Sequence, residues 1–380
     1  MQLSVIILNY NVRHFLELCV LSVQNAIQNI DAEIIVIDNN SQDDSCEMMK
    51  QRFPSVKLIE NKENSGFPKG NNIGVAAAKG EYICILNPDT VVAEDTFTKV
   101  LAFAKKQKEL GIVGVKLIDG TGNFLPESKR GIPTPFVAFT KITGLYKIFP
   151  KIFGEYYAQH LSENETGKVD ILVGAFMLMK RDLYNEIGGF DENCFMYSDD
   201  IDLSYMALKK GKSNYYFHET SVIHYKGEST VKDGTYMKRF QEAMNFFYKK
   251  HFRVSILFFV FMKMGILLFS MVKKFQGKPK PKSSPEKYIL VSEDEVLREK
   301  LENKLQIVLE RQDITKSFAK NEKAEIIFDQ NQLDFKTIIQ AFETNKNKNF
   351  TFKIIPESSD FVIGSNSSFD RGEVIKILDI

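Results

Sequence analysis

At 380 residues the chain exceeds a single typical domain, and 44% hydrophobic with 26% charged residues is the composition of a folded protein with a sizeable core. A net charge of +1 gives no global reason to expect nucleic acid as a partner. The four cysteines, Cys19, Cys46, Cys84 and Cys194, form no Cys-x-x-Cys pair, which argues against a zinc site or a disulfide framework and for a reducing, cytosolic setting.

In chain order, Leu3–Leu8 reads as a buried strand. It turns polar at Asn9 and has no basic start, so no secretory signal is expected. Leu16–Ile27 has helical spacing, and Glu33–Asp38 is a second buried strand ending in an acid. Cys46–Phe53 reads as a helix, Val56–Ile59 as a strand, Gly70–Ala78 as a helix and Tyr82–Leu86 as a fourth strand. Strands alternating with helices predict an α/β fold on a largely parallel sheet, whose ligands bind beyond the carboxyl ends of the strands. Asp38 and Asp89 stand at such ends.

Gly120–Pro135 reads as loop, Asp170–Lys180 as a strand and Arg181–Ile187 as a short helix closed by Gly188 and Gly189. Helices are expected over Asp200–Lys210 and Tyr236–Tyr248. Val254–Val272 is the strongest apolar run, about 28 Å long as a helix at ~1.5 Å per residue. Ser255, Lys263, Ser270 and Lys273 share one narrow sector of it and basic residues flank both ends, which favours a helix lying in the membrane interface over a span. A buried core helix is the alternative. A basic, proline-rich linker over 273–286 leads to a small α/β unit over 287–380, in which no Gly-x-Gly-x-x-Gly follows the first strand.

Four clusters carry chemistry. Asp38-Asn39-Asn40-Ser41 can hydrogen-bond a base or ribose, or simply form a turn. Asn64-Ser65-Gly66-Phe67, running on to Gly70-Asn71-Asn72, lets backbone approach a ligand and aims helix N–H groups at phosphate. Asn87-Pro88-Asp89 follows a strand and places a carboxylate where a divalent cation would bridge a diphosphate, although taken alone it reads better as a capped turn. Asp199 and Asp200 open a helix as adjacent acids, which raises the pKa of one and suits a general base. His224 ends another apolar segment and is a candidate metal ligand.

Together with Ser4–Asn11, Gly174-Ala175, Gly188–Glu192, Tyr197–Leu203, Gly227 and Ser229, these stretches resemble the family-2 glycosyltransferases of GT-A fold, in particular the bacterial rhamnosyltransferase-like branch. The resemblance covers residues 1–250 and implies a GT-A catalytic domain there: a Rossmann-like mixed α/β sheet, followed by the apolar helix and a small Rossmann-like accessory domain. It implies an inverting transfer of a sugar from a nucleotide diphosphate sugar to a hydroxyl of a lipid-linked or oligosaccharide acceptor in cell-surface polysaccharide synthesis. Asn9, Asp38, Asn40, Asn64, Gly66, Phe67, Gly70, Asn71, Asn87 and Gly174 would bind the nucleotide sugar. Asp89 and His224 would hold Mg²⁺ or Mn²⁺, Asp200 would be the base and Asp199 its runner-up. The sequence departs from the family's frequent Asp-x-Asp metal motif in having Asn87-Pro88-Asp89. Nucleotide sugars and the apolar run place the protein at the cytoplasmic face of the inner membrane. A catalytically silent membrane scaffold of the same fold is the alternative class, and a dehydrogenase is disfavoured further by the missing glycine fingerprint.

Overall fold

The computed structural model describes residues 1–134, 136–137, 154–226, 234–252, 285–314, 323–346, 348–366 and 372–377. The first half alternates as the apolar runs predict: β1 (Leu3–Asn9), α1 (Arg13–Ile27), β2 (Ala32–Asp38), α2 (Ser45–Arg52), β3 (Lys57–Glu60), α3 (Gly66–Ala76) and β4 (Tyr82–Leu86). There follow β5 (Thr90–Val91), α4 (Thr96–Lys105), β6 (Leu110–Ile118), β7 (Gly167–Val169), β8 (Phe176–Lys180), α5 (Arg181–Glu186), α6 (Asp199–Lys209), β9 (Ser213–His224) and α7 (Gly234–His251).

These nine strands form one sheet in the order β3-β2-β1-β4-β8-β6-β9-β5, with β7 paired to β9. The β3-β2-β1-β4 half is parallel. Every residue of β1 and β4 is buried, as expected of parallel strands covered on both faces. Beyond β4 the sheet becomes mixed, because β8 runs antiparallel to both β4 and β6. The change of direction opens the crevice above β1 and β4, where the loops after β2, β4 and β9 meet.

The single strand expected over Asp170–Lys180 is shortened to β8. Residues 170–175 leave the sheet because their backbone is used elsewhere: Ile171 forms a bridge with Arg130, and the Gly174 amide donates to Asp200. Helix α3 starts four residues earlier than expected, at Gly66.

A second sheet has the order β11-β10-β12-β13-β14-β15. Its strands are β10 (Lys287–Val291), β11 (Leu309–Arg311), β12 (Ala324–Asp329), β13 (Thr351–Ile355), β14 (Phe361–Gly364) and β15 (Glu373–Lys376). The first four are parallel and the last two antiparallel. Helices α8 (Glu295–Leu305) and α9 (Phe335–Asn345) are capped by Asp294 and Asp334, whose side chains accept from Leu297 and Thr337 amides. This unit docks on the first through a shared apolar cluster: Phe15, Val91, Ile223 and Tyr225 pack with Ile326, Phe328, Phe342 and Phe361. Among the described residues no helix is long and apolar enough to cross a membrane. The run Val254–Val272 and the linker up to residue 284 lie outside the described residues.

Candidate active site

A cavity of about 510 Å³ sits over the carboxyl ends of β1, β2 and β4, a volume suited to a nucleotide-sized ligand. Three walls meet there.

One wall is the turn after β2 with the loop into α3. Asn39, rather than Asp38 or Asn40, reaches the cavity. Its Nδ2 donates to Asn64 Oδ1 at 2.9 Å, and its Oδ1 accepts from Asn61 and from the Ser65 amide and hydroxyl. Gly66 has φ +81, and a Cβ there would meet the Phe195 ring at 2.8 Å, so only glycine fits. Phe67 lies beside it, its amide donating to the Phe195 carbonyl at 3.2 Å.

Five expected nucleotide-sugar residues do not line this cavity. Asp38 is 3% exposed and braces its own turn, accepting from Asn9 Nδ2 and from the Ser41 amide, each at 2.8 Å. Asn9 Nδ2 donates to Asp38 and to Ser41 Oγ, and Asn40 occupies the left-handed turn position at φ 65. Gly70 permits contact with Leu8, whose Cδ1 stands 2.4 Å from where a Cβ would be. Asn71 donates to the Phe67 carbonyl one turn back. These residues shape the wall behind the cavity lining. Asn64, Gly66, Phe67, Asn87, Asp89, Gly174, Asp199, Asp200 and His224 do come together at the cavity.

The second wall is a hand of metal-type donors. Asn87-Pro88-Asp89 bridges β4 and β5, and the β5–β9 register pairs Thr90 with His224. The Tyr225 amide then donates to the Asp89 carbonyl at 3.0 Å. His224 Nε2 ends 3.4 Å from Asp89 Oδ1 and 3.4 Å from Asn87 Nδ2. Asp89 Oδ1 and Asn87 Oδ1 are buried with no hydrogen-bond partner. Orphaned oxygens are costly unless something binds them, and two oxygens beside an imidazole suit a divalent cation that takes its remaining ligands from a diphosphate. No cluster of three His, Cys, Asp or Glu is found among the described residues, so the protein's share of such a site is partial.

The third wall is the acid pair opening α6. Asp200 Oδ2 accepts from Arg130 Nη2 at 2.5 Å and from the Gly174 amide at 3.1 Å, while Oδ1 accepts from the Ile201 amide. Burial works against the Arg130 charge, but the Asp200 carboxylate outweighs it and the guanidinium stays protonated. For Asp199, burial first and the Asp200 charge second push the carboxyl up to about 7. Asp199 thus keeps its proton towards neutrality, while Asp200 is held by Arg130 and by two backbone amides. Arg130, Glu127 and Lys226 also line the cavity and were not among the sequence candidates. Lys226 pairs with Glu127 and holds φ 60, a left-handed conformation unusual for lysine. Their only sequence signal is a Gly- and Pro-rich loop and proximity to His224.

Residues 4–188 match the family model described as Glycosyl transferase family 2. These residues, just under half of the chain, carry a family-2 glycosyltransferase domain. The chain is similar to an N-acetylglucosaminyl-diphospho-decaprenol L-rhamnosyltransferase of Mycobacterium tuberculosis, 27% identical in an alignment of 212 residues that covers 53% of this chain and 68% of the relative. The hexosyltransferase Agl10 of low-salt glycan biosynthesis in Haloferax volcanii is 23% identical, over 55% of this chain and 62% of that one. Among solved structures, the mannosyltransferase PcManGT of Pyrobaculum calidifontis, in complex with GDP-Man and Mn²⁺, aligns with TM-score 0.47 and 16% identity over 73% of this chain and 76% of its own. S. aureus TarS aligns with TM-score 0.44 and 14% identity over 71% of this chain but only 43% of TarS. This glycosyltransferase therefore pairs a family-2 domain with a second α/β unit beyond the matched region.

Proposed function

We propose that this family-2 glycosyltransferase moves a sugar, with inversion, from a nucleotide diphosphate sugar to a hydroxyl of a lipid-linked glycan in cell-surface polysaccharide assembly, at the cytoplasmic face of the membrane. The observation that carries the reading is the convergence, on one cavity, of a partial metal-donor hand with a buried acid pair held by an arginine. The names of relatives support the substrate class: one is a rhamnosyltransferase acting on a diphospho-decaprenol carrier, another a poly(ribitol-phosphate) glucosyltransferase of Bacillus spizizenii.

In this reading the donor's base and ribose lie along Asn39, Asn64 and Phe67. A Mg²⁺ or Mn²⁺ ion held by Asp89 and His224, beside Asn87, would offset the charge of the leaving diphosphate. The acceptor oxygen attacks the anomeric carbon from the face opposite the diphosphate. Its O–C bond forms as the C–O bond to phosphate breaks, and the electron pair leaves with the nucleotide diphosphate. The acceptor's proton goes to Asp200, which the Arg130 guanidinium and the Gly174 amide orient. A second assignment, with Asp199 as the base, is favoured by its titration near neutrality.

The test is a panel of nucleotide sugars, first by thermal shift and then by release of nucleotide diphosphate with and without a polyprenyl-diphosphate-linked sugar. Acceptor-dependent release from one donor is expected. Binding of a donor without release under any condition would leave the silent scaffold and sink the transfer reading.

A further inference from the structure

Helix α7 touches every segment that sets the acid pair. Near its start, the Arg239 guanidinium lies over the Phe195 ring at 5.1 Å, and Phe195 is the residue packed on Gly66. At its end, Lys250 Nζ reaches Asp202 Oδ2 at 2.8 Å and Asp191 Oδ2 at 2.6 Å, while His251 Nε2 stands 2.5 Å from Asp202 Oδ1. Between them, the Tyr248 hydroxyl donates to the Pro133 carbonyl at 2.8 Å, three residues past Arg130. Met244, Phe247 and Tyr248 pack with Ile171 and Ile201.

Asp202 lies in the first turn of α6, three residues beyond Asp199. Its side chain is 3% exposed and that of His251 is 1% exposed, so both carboxylate oxygens are held, largely out of water, by groups from one helix. A carboxylate so held fixes the rotation of the helix that bears it, and with it where Asp199 and Asp200 point. Acid first turns occur at many helix starts for the dipole alone. Here the third acid is instead consumed by a tertiary clamp. The same helix also fixes the loop of Arg130 through Pro133, so both halves of the Asp200–Arg130 pair take their position from α7. A shift of about 1 Å in a catalytic group is enough to cost orders of magnitude in rate.

We propose that α7 is the positioning clamp of the acid pair, with His251 and Lys250 acting through Asp202 as positioning residues for proton acceptance from the acceptor. This rests on the transferase reading above.

The experiment uses the full chain with His251→Phe, which keeps a ring against Tyr205 and Phe247 but removes the Nε2 contact, and His251→Gln, which returns a donor near the Nε2 position. Three quantities are measured: transfer kcat, calorimetric donor affinity and stoichiometry, and hydrogen exchange of the amides of residues 199–204. For His251→Phe, kcat should fall at least about tenfold with donor stoichiometry and affinity within twofold of wild type, and the 199–204 amides should exchange faster. His251→Gln should recover most of the rate. A kcat within twofold, a loss matching only a fall in donor-binding stoichiometry, or unchanged exchange at 199–204 overturns the clamp. If the wild-type protein turns over no nucleotide sugar, the transferase reading fails by itself, and the exchange comparison still decides the clamp. Should His251→Phe not fold, Lys250→Met repeats the test from the more exposed side of Asp202 with the same outcomes.

Discussion

Replacing Asp199 by asparagine removes a charge that the fold accommodates at a cost. Burial first, and the Asp200 charge second, lift the Asp199 carboxyl from an ordinary 3.8 to about 7. The unfolded chain gives up this proton near pH 4, whereas the folded chain keeps it to about 7. Between those values the folded state binds more protons, so stability falls as pH rises and the loss is complete above 7. At about 1.4 kcal/mol per decade the interval, in which the opposing pull of Arg130 and nearby amides is already included, is worth at most about 4 kcal/mol. Asp199→Asn should therefore raise unfolding stability by that amount at pH 8 and change it little at pH 4, read as urea midpoints at the two pH values. An equal shift at both, or a less stable variant at pH 8, refutes the reasoning. In the transfer assay Asp199→Asn should stay within about tenfold of wild type, while Asp200→Asn should lose about 10²–10⁴-fold. The reverse pattern, with a wild-type rate that rises through pH 7, would make Asp199 the base.

Activity should require a divalent cation, and Asp89→Ala and His224→Ala should each raise the Mn²⁺ concentration for half-maximal rate at least about tenfold in chelator-treated protein, since outer partners alone shift metal affinity by that order; full activity in excess chelator contradicts this. Glu94 accepts the amides of Phe335 and Lys336 at 2.8 Å each and so caps α9 from the other unit. Glu94→Ala should cost about 1–3 kcal/mol in denaturant titration, and an unchanged midpoint would show that the units do not stabilise one another. The run Val254–Val272, with Lys263 midway, should send the protein to the membrane fraction with residues beyond Lys287 protected from protease added to intact spheroplasts; digestion from outside would mean that the run spans the bilayer.

The parallel half of the sheet was legible because each strand is an unbroken apolar run that can only be buried. Leu3–Asn9 and Tyr82–Leu86 are fully buried as that pattern requires. The sequence reading assigns nothing to residues 96–118, where α4 and β6 lie, although β6 is buried throughout. Glycines and a lysine interrupt its apolar run, and the reason is tertiary: a Cβ at Gly114 would meet Leu172 at 2.6 Å, and Lys116 reaches across to Glu343 at 3.0 Å. At the site, strand-end position identified Asp89 and His224, residues that only the β5–β9 pairing brings together. At Asp38 the same logic meets a local alternative: a carboxylate next to Asn40 and Ser41 closes its own turn, and Asn39 faces the cavity. Arg130 carries no local signal, since what aims it is a backbone bridge to Ile171 and a carboxylate seventy residues away.

The second α/β unit bears on the chemistry through the strand that carries the metal-type donors. β5 is two residues long and pairs on one side only, with the end of β9, so sheet hydrogen bonds alone hold it weakly. Part of its support comes from beyond residue 287: Val91, Ala93, Ile223 and Tyr225 share one apolar cluster with Phe15 and Leu18 of α1 and with Ile326, Phe328, Phe342 and Phe361. Charged contacts ring that cluster, with Lys336 2.7 Å from Asp95, Lys346 3.0 Å from Glu163, and Arg13 stacked on Phe361 at 5.6 Å. Gly122, at φ +79, lets its loop approach the Phe342 carbonyl so closely that a Cβ would sit 2.1 Å away. An appended unit joined only by its linker would need none of this complementarity. Because Asp89 immediately precedes β5 and His224 ends β9, loosening the second unit would move both donors together, so its contribution would fall on Asp89 and His224, whereas the clamp proposed for α7 acts on the acid pair.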